Sequence, residues 1–288
     1  MLHAVEPATL DASLITVNFL TIDRVQKLLS SIAVAKPTRT HEVILVENGS
    51  SDPTQQLLER DFPEVRYRYA ENRGFSAGNN RGMEIARGRY YILLNPDVEL
   101  DEGTIDAWID WMDAHPEIGI SGPKLVYPDG SPQPSAYRYH GIWTPLLRRT
   151  WLGKTTSGKR MLDQFEEPFL TKHEDHGEVE WLLGAAVCVR REIAHELGGM
   201  DERFFLYLED EDFCRRARAA GYRVAQVFGL QIRHVYGKLS RGLSWFEMVR
   251  KKASREHIKS GLRYLLRYEV IGRLPGKKTT ISTKNLWI

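Results

Sequence analysis

The sequence predicts an α/β protein with a mostly parallel central sheet and helices on both faces. Short apolar runs alternate with segments of helical periodicity through residues 13–126, and this order is typical of parallel strands joined by crossover helices. With 288 residues, 42% of them hydrophobic, the chain also has enough apolar material for a sizeable core, which excludes a largely disordered protein.

Each element of the first half has its own signal. Residues 13–18 and 42–47 are short apolar runs, which are typical of buried strands. Residues 21–33 carry apolar side chains at helical spacing, namely Val25, Leu28, Leu29 and Ile32. Asp52 and Pro53 are a typical start of a helix. By the same criteria, further strands are predicted at 65–69, 90–94 and 119–126, and further helices at 76–86 and 102–114.

The second half begins with an irregular stretch, residues 127–180, which is rich in Pro, Gly and aromatic residues and predicts a long insertion over a site. Order returns in the apolar segment 179–190. Helices are predicted at 191–197 and 210–220, a strand at 223–227 and a basic helix at 245–268. We therefore expect a main domain over residues 1–240 and a basic helical extension over residues 241–288.

Composition and local patterns exclude several classes of protein. No stretch approaches the roughly 20 uninterrupted apolar residues that span a bilayer. The N-terminus lacks the basic and then apolar pattern of a secretion signal. Cys188 and Cys214 form neither a disulfide framework nor a zinc site, and they fit a reducing cytosol. We expect a cytoplasmic protein.

The net charge of +2 conceals an uneven distribution. Residues 238–288 carry 13 Lys and Arg against three Glu, so the preceding part of the chain is acidic overall. Such a tail favours peripheral contact with an anionic surface, such as the inner face of a membrane. A solvated helical face and packing against a second copy of the chain, as a homodimer, are the alternatives. Nucleic-acid binding is disfavoured because the tail contains no recognisable nucleic-acid-binding motif.

Polar side chains follow two of the predicted strands. Glu47 and Asn48 come after one strand, and Asn95-Pro96-Asp97 comes after another. Ligands of parallel sheets gather at the carboxyl ends of the strands, so these positions indicate a binding site. A carboxylate such as Asp97 suits a hard cation, Mg²⁺ or Mn²⁺. The alternative is that Asp97 only caps the next helix.

Four consecutive acids follow an aromatic stretch and begin a predicted helix: Glu209, Asp210, Glu211 and Asp212. The helix dipole stabilises acids in a first turn. Their mutual repulsion is nevertheless expected to raise the pKa of at least one, which suits a general base. Asp212 is expected to brace the loop or to pair with Arg215 or Arg216. A lone histidine such as His234 is more often a packed core residue than a ligand. It becomes a candidate ligand only if it lies beside Asp97 and a second acid.

Residues 69–82, between a strand and a helix, are rich in Gly and Asn. They offer backbone N–H groups, amides and two arginines to an anion. The chain contains neither the G-x-G-x-x-G pattern of dinucleotide-binding folds nor the G-x-x-x-x-G-K-[ST] pattern of P-loops. These absences weigh against a dehydrogenase and against a P-loop ATPase.

Ten segments form an ordered set: 13–18, 46–52, 71–80, 94–97, 122–124, 128–130, 181–185, 198–202, 205–212 and His234. In this order they closely resemble the inverting family 2 glycosyltransferases of the GT-A fold, in particular the bacterial rhamnosyltransferase-like branch. Any one segment alone is weak evidence for this resemblance. The ordered set covers about residues 13–240 and is highly specific. The resemblance implies a Rossmann-like sheet, with 13–126 as the nucleotide-sugar-binding half and 181–240 as the acceptor and catalytic half.

The resemblance also implies roles for individual residues. Asp97, in the family's DxD position, would hold Mg²⁺ or Mn²⁺ against the donor diphosphate, with His234 as a second metal ligand. Asp210 would be the catalytic base, with Glu209 beside it. Trp181 and Gly184 would lie near the sugar and the acceptor. The nucleotide-sugar would be bound by Val17, Asn18, Glu47, Asn48, Asn72, Arg73, Gly74, Gly78, Asn79 and Asn95.

The implied reaction is a single displacement. Asp210 would take the proton of an acceptor hydroxyl while its oxygen attacks the anomeric carbon from the face opposite the leaving group, which inverts that centre. The favoured donor is dTDP-L-rhamnose, with UDP-sugars as the alternative. The acceptor would be a glycan or lipid-linked glycan of a bacterial surface polysaccharide. Three positions depart from the family pattern. Glu47 occupies a position that is usually Asp, Leu20 one that is usually Asn, and Asn95 the position of the first Asp of DxD.

Two other functions fit parts of the sequence. A nucleotidyltransferase would need a basic glycine-rich loop after the first strand, where residues 18–22 read Asn-Phe-Leu-Thr-Ile. A non-catalytic module that binds sugar nucleotides or polysaccharide would not need the acids around Asp210. The transferase interpretation depends on Asp97, Asp210 and His234 meeting at one site.

Overall fold

The computed structural model of the protein describes residues 8–140, 151–166, 168–235 and 252–271. The strands are β1 Leu10–Asn18, β2 His41–Asn48, β3 Arg66–Ala70, β4 Gly88–Leu94, β5 Val98–Glu99, β6 Ile118–Val126, β7 Pro132–Gln133, β8 Ala136–Tyr137, β9 Phe169–Lys172, β10 His176–Val179, β11 Trp181–Leu182, β12 Ala186–Arg190 and β13 Arg223–His234. The helices are α1 Ile22–Ala35, α2 Thr54–Asp61, α3 Phe75–Ile85, α4 Thr104–Ala114, α5 Thr156–Glu166, α6 Arg191–Glu196, α7 Glu209–Ala219 and α8 Lys252–Leu265.

The central sheet is mostly parallel, as the sequence predicts. Its strands lie in the order β3-β2-β1-β4-β12-β6-β13-β10-β9, and β5 and β7 pair with β13 and β6. Strands β1 to β4 are parallel, and β13 is parallel to β6. Strand β12 lies antiparallel between β4 and β6. The carboxyl ends of β1, β2, β4, β6 and β13 therefore share one edge, where β12 begins.

Helices cover both faces of the sheet. Along β1, Leu14 points into a core formed with α1 and α4, whereas Ile15 points into a second core with α3, α6 and α7. Both side chains are essentially inaccessible to solvent. Burial on both faces explains why β1 and β2 are continuous apolar runs rather than alternating ones.

Two segments differ from the sequence-based prediction. Residues 127–180 are less irregular than expected, since they form β7 to β10 and α5. Two of these strands, β7 and β8, have only two residues each, too few to produce a periodic signal. Strand β13 continues to His234 instead of ending at residue 227, because an irregularity between Val227 and Gln231 shifts its register on β6 without ending the pairing.

The C-terminal helix α8 packs on the loop that precedes α7. Ser260 Oγ donates to the Leu206 carbonyl at 3.0 Å, and the buried rings of Tyr264 and Tyr268 pack with Phe204. The beginning of the predicted 245–268 helix, at residues 245–251, lies outside the described residues, as does 272–288 in the expected extension. Among the helices that the structure describes, none is both long and apolar enough to cross a membrane.

Candidate active site

The predicted site residues lie at the shared carboxyl edge of the sheet. Asn18, Asn48 and His234 are the last residues of β1, β2 and β13. Asn95 directly follows β4, and its N–H donates to the Ala185 carbonyl at 2.8 Å. Because Gly184 and Ala185 directly precede the antiparallel strand β12, a segment from the second half of the chain lies at the same edge.

Asp97 and His234 are in direct contact, as the metal-site hypothesis requires. His234 Nε2 lies 3.3 Å from Asp97 Oδ1, and His234 Nδ1 lies 3.1 Å from Gln133 Oε1. The Gln133 oxygen only accepts hydrogen bonds, so in the neutral ring, the form that binds metals, Nδ1 carries the proton and Nε2 directs its lone pair at Asp97. One carboxylate and one oriented imidazole fit a divalent cation.

Arg24 and Gln133 are functional candidates that the sequence analysis missed. Arg24 Nη1 lies 3.1 Å from the other carboxylate oxygen of Asp97, so it compensates the charge of that group. Its position in the first turn after β1 was a usable signal, because that turn lies at the carboxyl edge. Gln133 gave no signal, since 101 positions separate it from His234.

Asp210 is held in one orientation by two backbone donors. The Gly184 N–H donates to Oδ2 at 3.0 Å and the Glu211 N–H to Oδ1 at 2.9 Å. Burial raises the pKa of Asp210 to about 6, the two N–H donors oppose the rise, and the charge of Glu211 adds to it. The expected rise in pKa is therefore present, although its largest cause is burial and not repulsion among the acids. A carboxylate with this pKa suits proton abstraction near neutral pH.

Glu209, which precedes Asp210, also has a raised pKa. Its side chain is buried, and burial, together with the charge of Asp210, raises its pKa well above the usual range. Oε2 has no hydrogen-bond partner among the described residues. Glu209 therefore binds its proton more tightly than an ordinary carboxyl group, and Asp210, which two N–H donors hold in one orientation, is the better candidate for the base.

The backbone immediately before these acids is in an unusual conformation. Tyr207 and Leu208 have φ angles of 70° and 67°, in the left-handed region that residues other than glycine rarely adopt. Consecutive residues of this kind cost roughly 1 kcal/mol or more each. The turn directs the start of α7, and hence Asp210, towards Gly184.

Glu211 anchors α7 to two other parts of the chain. Its buried carboxylate accepts hydrogen bonds from the backbone N–H of His140 at 2.7 Å and from the Tyr264 hydroxyl at 2.5 Å. The His140 ring also contacts it through Nδ1. The loop after β8 and the C-terminal helix thus both determine where the neighbouring Asp210 lies.

Asp212 pairs with Arg216, one of the two partners expected from the sequence. Arg216 Nε donates to Oδ2 at 2.8 Å, whereas Oδ1 accepts from Arg267 at 2.9 Å and from the Tyr268 hydroxyl at 2.6 Å. Arg215 donates to Tyr264 instead. Asp212 therefore braces α7 against the helical turn Leu266–Ile271 that follows α8.

Asn18 and Glu47 form a buried hydrogen-bond network at the carboxyl ends of β1 and β2. Asn18 Nδ2 donates to Glu47 Oε2 at 2.7 Å, and Thr54 donates to the same oxygen at 2.6 Å. The Ser50 N–H donates to Glu47 Oε1 at 2.9 Å. The longer Glu47 side chain, in place of the usual Asp, is thus committed to contacts within the protein.

Asn48 and Asn95 each present a buried side-chain oxygen at this edge. Asn48 Nδ2 donates to Asn72 Oδ1 and to the Gly74 carbonyl, both at 3.3 Å. Within the described ranges, Asn48 Oδ1 and Asn95 Oδ1 have no hydrogen-bond partner. Buried polar atoms are rarely left unpaired, so these two oxygens are available to accept bonds from a ligand.

Gly74 joins the glycine-rich loop to the segment before the acids. Its φ of +103° and a distance of 2.4 Å between a Cβ built on it and the Phe205 carbonyl oxygen allow only glycine. Beside it, Phe75 N–H donates to the same carbonyl at 2.8 Å. Arg73 is exposed, with its guanidinium 3.9 Å from Glu202.

Two further predicted nucleotide-site residues pack α3 against the sheet. A Cβ on Gly78 would lie 2.7 Å from a methyl group of Val17, so glycine is needed where α3 approaches β1. Asn79 donates to the Phe75 carbonyl at 3.0 Å within α3. These contacts give Val17, Gly78 and Asn79 a packing role beneath the loop, and their contact with a nucleotide-sugar stays a prediction.

On the side where the acceptor is predicted to bind, Gly184 contacts Asp210, the candidate base, directly. Trp181 packs beside it. A Cβ on Gly184 would lie 3.2 Å from Asp210 Cβ. The Trp181 indole is buried, donates to the Arg138 carbonyl at 2.7 Å and stacks on Tyr137. Asp97 and His234 therefore meet directly, and Asp210 joins the same edge through the Gly184–Ala185 backbone.

Comparison with known proteins gives a consistent result. Residues 13–173 match the family described as Glycosyl transferase family 2. The chain is 31% identical over 230 residues to the N-acetylglucosaminyl-diphospho-decaprenol L-rhamnosyltransferase of Mycobacterium tuberculosis, covering 73% of this chain and 71% of that protein. It is 34% identical over 257 residues to rhamnosyltransferase WbbL of Escherichia coli K12, covering 86% and 90%.

A solved structure shares the fold. The crystal structure of GalNAc-T7 with UDP, GalNAc and Mn²⁺ superposes with a TM-score of 0.58 at 15% identity, over 79% of this chain and 44% of that chain. This protein thus spans less than half of that structure. At this identity the likeness shows a common GT-A fold.

Proposed function

The chain belongs to glycosyl transferase family 2, and from this premise we propose that it is an inverting, metal-dependent rhamnosyltransferase. It would transfer L-rhamnose from dTDP-L-rhamnose to a hydroxyl of a glycan or lipid-linked glycan in the synthesis of a bacterial surface polysaccharide. Family membership removes the nucleotidyltransferase and the non-catalytic binding module as alternatives.

One observation carries the proposal: Asp210 is a carboxylate with a pKa of about 6, and two N–H donors fix its direction. An acceptor hydroxyl is too weak an acid to attack unaided, so a fixed base is needed. Holding the base and the donor at one edge of the sheet reduces the entropy lost in the reaction. A single attack from the side opposite the diphosphate inverts the anomeric centre.

On the donor side, Asp97 and His234 would hold Mg²⁺ or Mn²⁺. When bound, this ion neutralises the charge that develops on the leaving diphosphate. Arg24, already paired with Asp97, would share the phosphate oxygens when the donor enters. Asn48 Oδ1 and Asn95 Oδ1 would accept hydrogen bonds from the nucleoside or the sugar.

The choice of rhamnose follows from two relatives whose names state rhamnosyl transfer, at 31% and 34% identity. A UDP-sugar is the alternative donor. The two are separated by incubating the protein with dTDP-L-rhamnose or with a panel of UDP-sugars, with Mn²⁺, and by measuring the released nucleoside diphosphate. Release from dTDP-L-rhamnose above all UDP-sugars supports the proposal, and the reverse order contradicts it.

The acceptor proposal is supported by the exposed face of α8 and the turn after it. Ile258, Leu262 and Leu266 form an apolar ridge opposite the face that docks on α7, with exposed fractions of 39%, 59% and 54%. Arg255, Lys259 and Arg263 are exposed beside it. An apolar ridge with flanking cations suits peripheral binding to anionic lipid, where a lipid-linked acceptor would be found.

The central experiment compares Asp210→Asn with Glu209→Gln. Loss of the base should abolish rhamnosyl transfer while donor binding persists. Gln has the size and shape of Glu, and Glu209 is not the assigned base, so Glu209→Gln should keep most of the activity. Near-normal turnover of Asp210→Asn would show that the base has been assigned wrongly.

A further inference from the structure

A second group of potential metal ligands lies away from the candidate active site. His115 follows α4, while Asp175 and His176 lie at the turn between β9 and β10. One ligand atom from each residue can be chosen so that all three lie within 4.8 Å of one another. His176 is opposite Val227 in the sheet, seven positions before His234 on β13. The group therefore lies at the β10 side of the sheet.

Trp111 orients two of these side chains. Its carbonyl oxygen lies 2.8 Å from His115 Nδ1, and its indole N–H donates to Asp175 Oδ2 at 2.6 Å. The His115 ring also stacks on the indole, with ring centres 4.1 Å apart. A backbone carbonyl that holds the second nitrogen of an imidazole ligand is typical of the groups around bound metals.

With this arrangement, a lone pair of a neutral His115 ring faces a carboxylate oxygen of Asp175. Because the Trp111 carbonyl only accepts, His115 Nδ1 carries the proton of a neutral ring, and the lone pair of Nε2 faces Asp175 Oδ2 at 3.2 Å. Two acceptors at this distance repel unless a cation lies between them. His176 Nδ1 is 2.8 Å from the other oxygen of Asp175.

The spacing of the polar atoms in this group also fits a bound ion. Ligands bonded to tetrahedral zinc lie roughly 3.3 Å apart, given metal–ligand distances of about 2.0–2.1 Å. The two contacts of 2.8 and 3.2 Å are close to that spacing.

We propose that His115, Asp175 and His176 form a binding site for a divalent transition-metal ion of the zinc class, separate from the site at Asp97 and His234. Two imidazoles and one carboxylate suit such an ion, with water completing its coordination. The ion joins the β9–β10 hairpin, which ends the sheet, to the end of α4. Its effect is structural, because it fixes an edge that otherwise depends on a few hydrogen bonds.

The test measures Zn²⁺ binding directly. Full-length protein without a histidine tag, carrying Asp97→Asn to disable the candidate catalytic site, competes for Zn²⁺ with a chromogenic chelator at pH 7.5. We expect one Zn²⁺ per chain. Adding His115→Gln or His176→Gln should weaken binding at least tenfold, whereas His41→Gln, whose Nδ1 contacts the Arg39 carbonyl, should leave it unchanged.

Thermal melts provide a second readout. Zn²⁺ should raise the melting temperature of the Asp97→Asn protein and have no such effect once His115 is replaced. Melts in EDTA establish that the Gln variants fold, and Asp175→Asn replaces any that does not. Equal Zn²⁺ affinity in all variants, or no binding in the Asp97→Asn protein, would overturn the proposal and leave a shared proton as the cation between His115 and Asp175.

Discussion

The Tyr264 hydroxyl donates a 2.5 Å hydrogen bond to the buried carboxylate of Glu211, the residue that follows the candidate base. The bond joins the C-terminal helix to the first turn of α7. We expect Tyr264→Phe to lower the free energy of unfolding by about 1–2 kcal/mol, because it removes a donor from a buried carboxylate. It should also lower kcat several-fold with little change in the donor KM, since Asp210 loses its fixed position.

Tyr222→Phe is the matched control for that change. Tyr222 donates to Glu196 at 2.6 Å, but on the surface. Its removal should alter stability by less than about 0.5 kcal/mol and leave kcat unchanged. Urea denaturation and steady-state kinetics of both variants make the comparison, and equal effects in the two would contradict a positioning role for Tyr264.

The pKa of Asp210 predicts the pH dependence of transfer. With a pKa of about 6, the base is protonated and inactive at lower pH, so kcat/KM should rise through pH 6 and level off near pH 7. A rate profile between pH 5 and 8 measures this. A profile flat over that range would contradict the assignment of the base.

The same pKa predicts how stability changes in Asp210→Asn. The carboxyl binds its proton more tightly in the folded protein, at about 6, than at the ordinary 3.8. It therefore favours folding below pH 4, and that contribution is lost as pH rises through 6. Asparagine has no charge to bury, so the stability of Asp210→Asn relative to the parent should rise by about 1 kcal/mol between pH 5 and pH 7.5. Urea denaturation of both proteins at pH 5 and at pH 7.5 measures this difference in stability.

Asp97→Asn should weaken Mn²⁺-dependent binding of the nucleoside diphosphate at least tenfold, because an amide is a poorer ligand for a hard cation. Binding without metal should change little. Asp101→Asn is the control, since that carboxylate pairs with Arg233 at 2.6 Å instead. Calorimetric titration of each variant with and without Mn²⁺ is the measurement, and equal Mn²⁺ dependence in the two would exclude Asp97 as a ligand.

Gly184→Ala should displace the base without unfolding the protein. The added Cβ would lie 3.2 Å from Asp210 Cβ, so the carboxylate must move by a few tenths of an ångström. We expect kcat to fall roughly tenfold, as small misplacements of reacting groups are costly. Gly229→Ala, where a Cβ meets nothing within 4 Å, should retain full activity. Unchanged kcat in Gly184→Ala would contradict this contact.

The apolar ridge of the C-terminal helix predicts lipid binding. The double variant Leu262→Gln, Leu266→Gln should float less with anionic vesicles than the parent, because it removes apolar area from the ridge. Val34→Gln is a control with the same 59% exposure as Leu262, on α1. Equal flotation of all three would remove the membrane hypothesis. Point variants are preferable to deleting the segment, which would also remove Tyr264 and its bond to Glu211.

Much of the fold could be predicted from sequence because its elements are long and locally periodic. The apolar runs of β1 and β2 and the helical spacing of Val25 to Ile32 depend only on neighbouring residues. The pairing of His234 with Asp97 was expected only from the family resemblance, because the predicted strand ended at residue 227, seven positions before His234.

The remaining features depend on contacts between distant parts of the chain. Gln133 sits on a two-residue strand and Tyr264 on a helix 53 positions from its partner Glu211, so neither has a local signature. The rise in the pKa of Asp210 was expected from repulsion, yet its largest cause is burial, which only the folded structure reveals.

The C-terminal helix that docks beside α7 is translated after the candidate site residues, so the nascent chain contains the site before it contains this helix. A polypeptide arrested at residue 251 would already contain Asp97, Asp210, His234 and all the sheet strands that the structure describes. It would lack Tyr264, Arg267 and Tyr268, which hold Glu211 and Asp212. Transfer activity should therefore appear late in translation, and ribosome-bound chains stalled before residue 252 should show none.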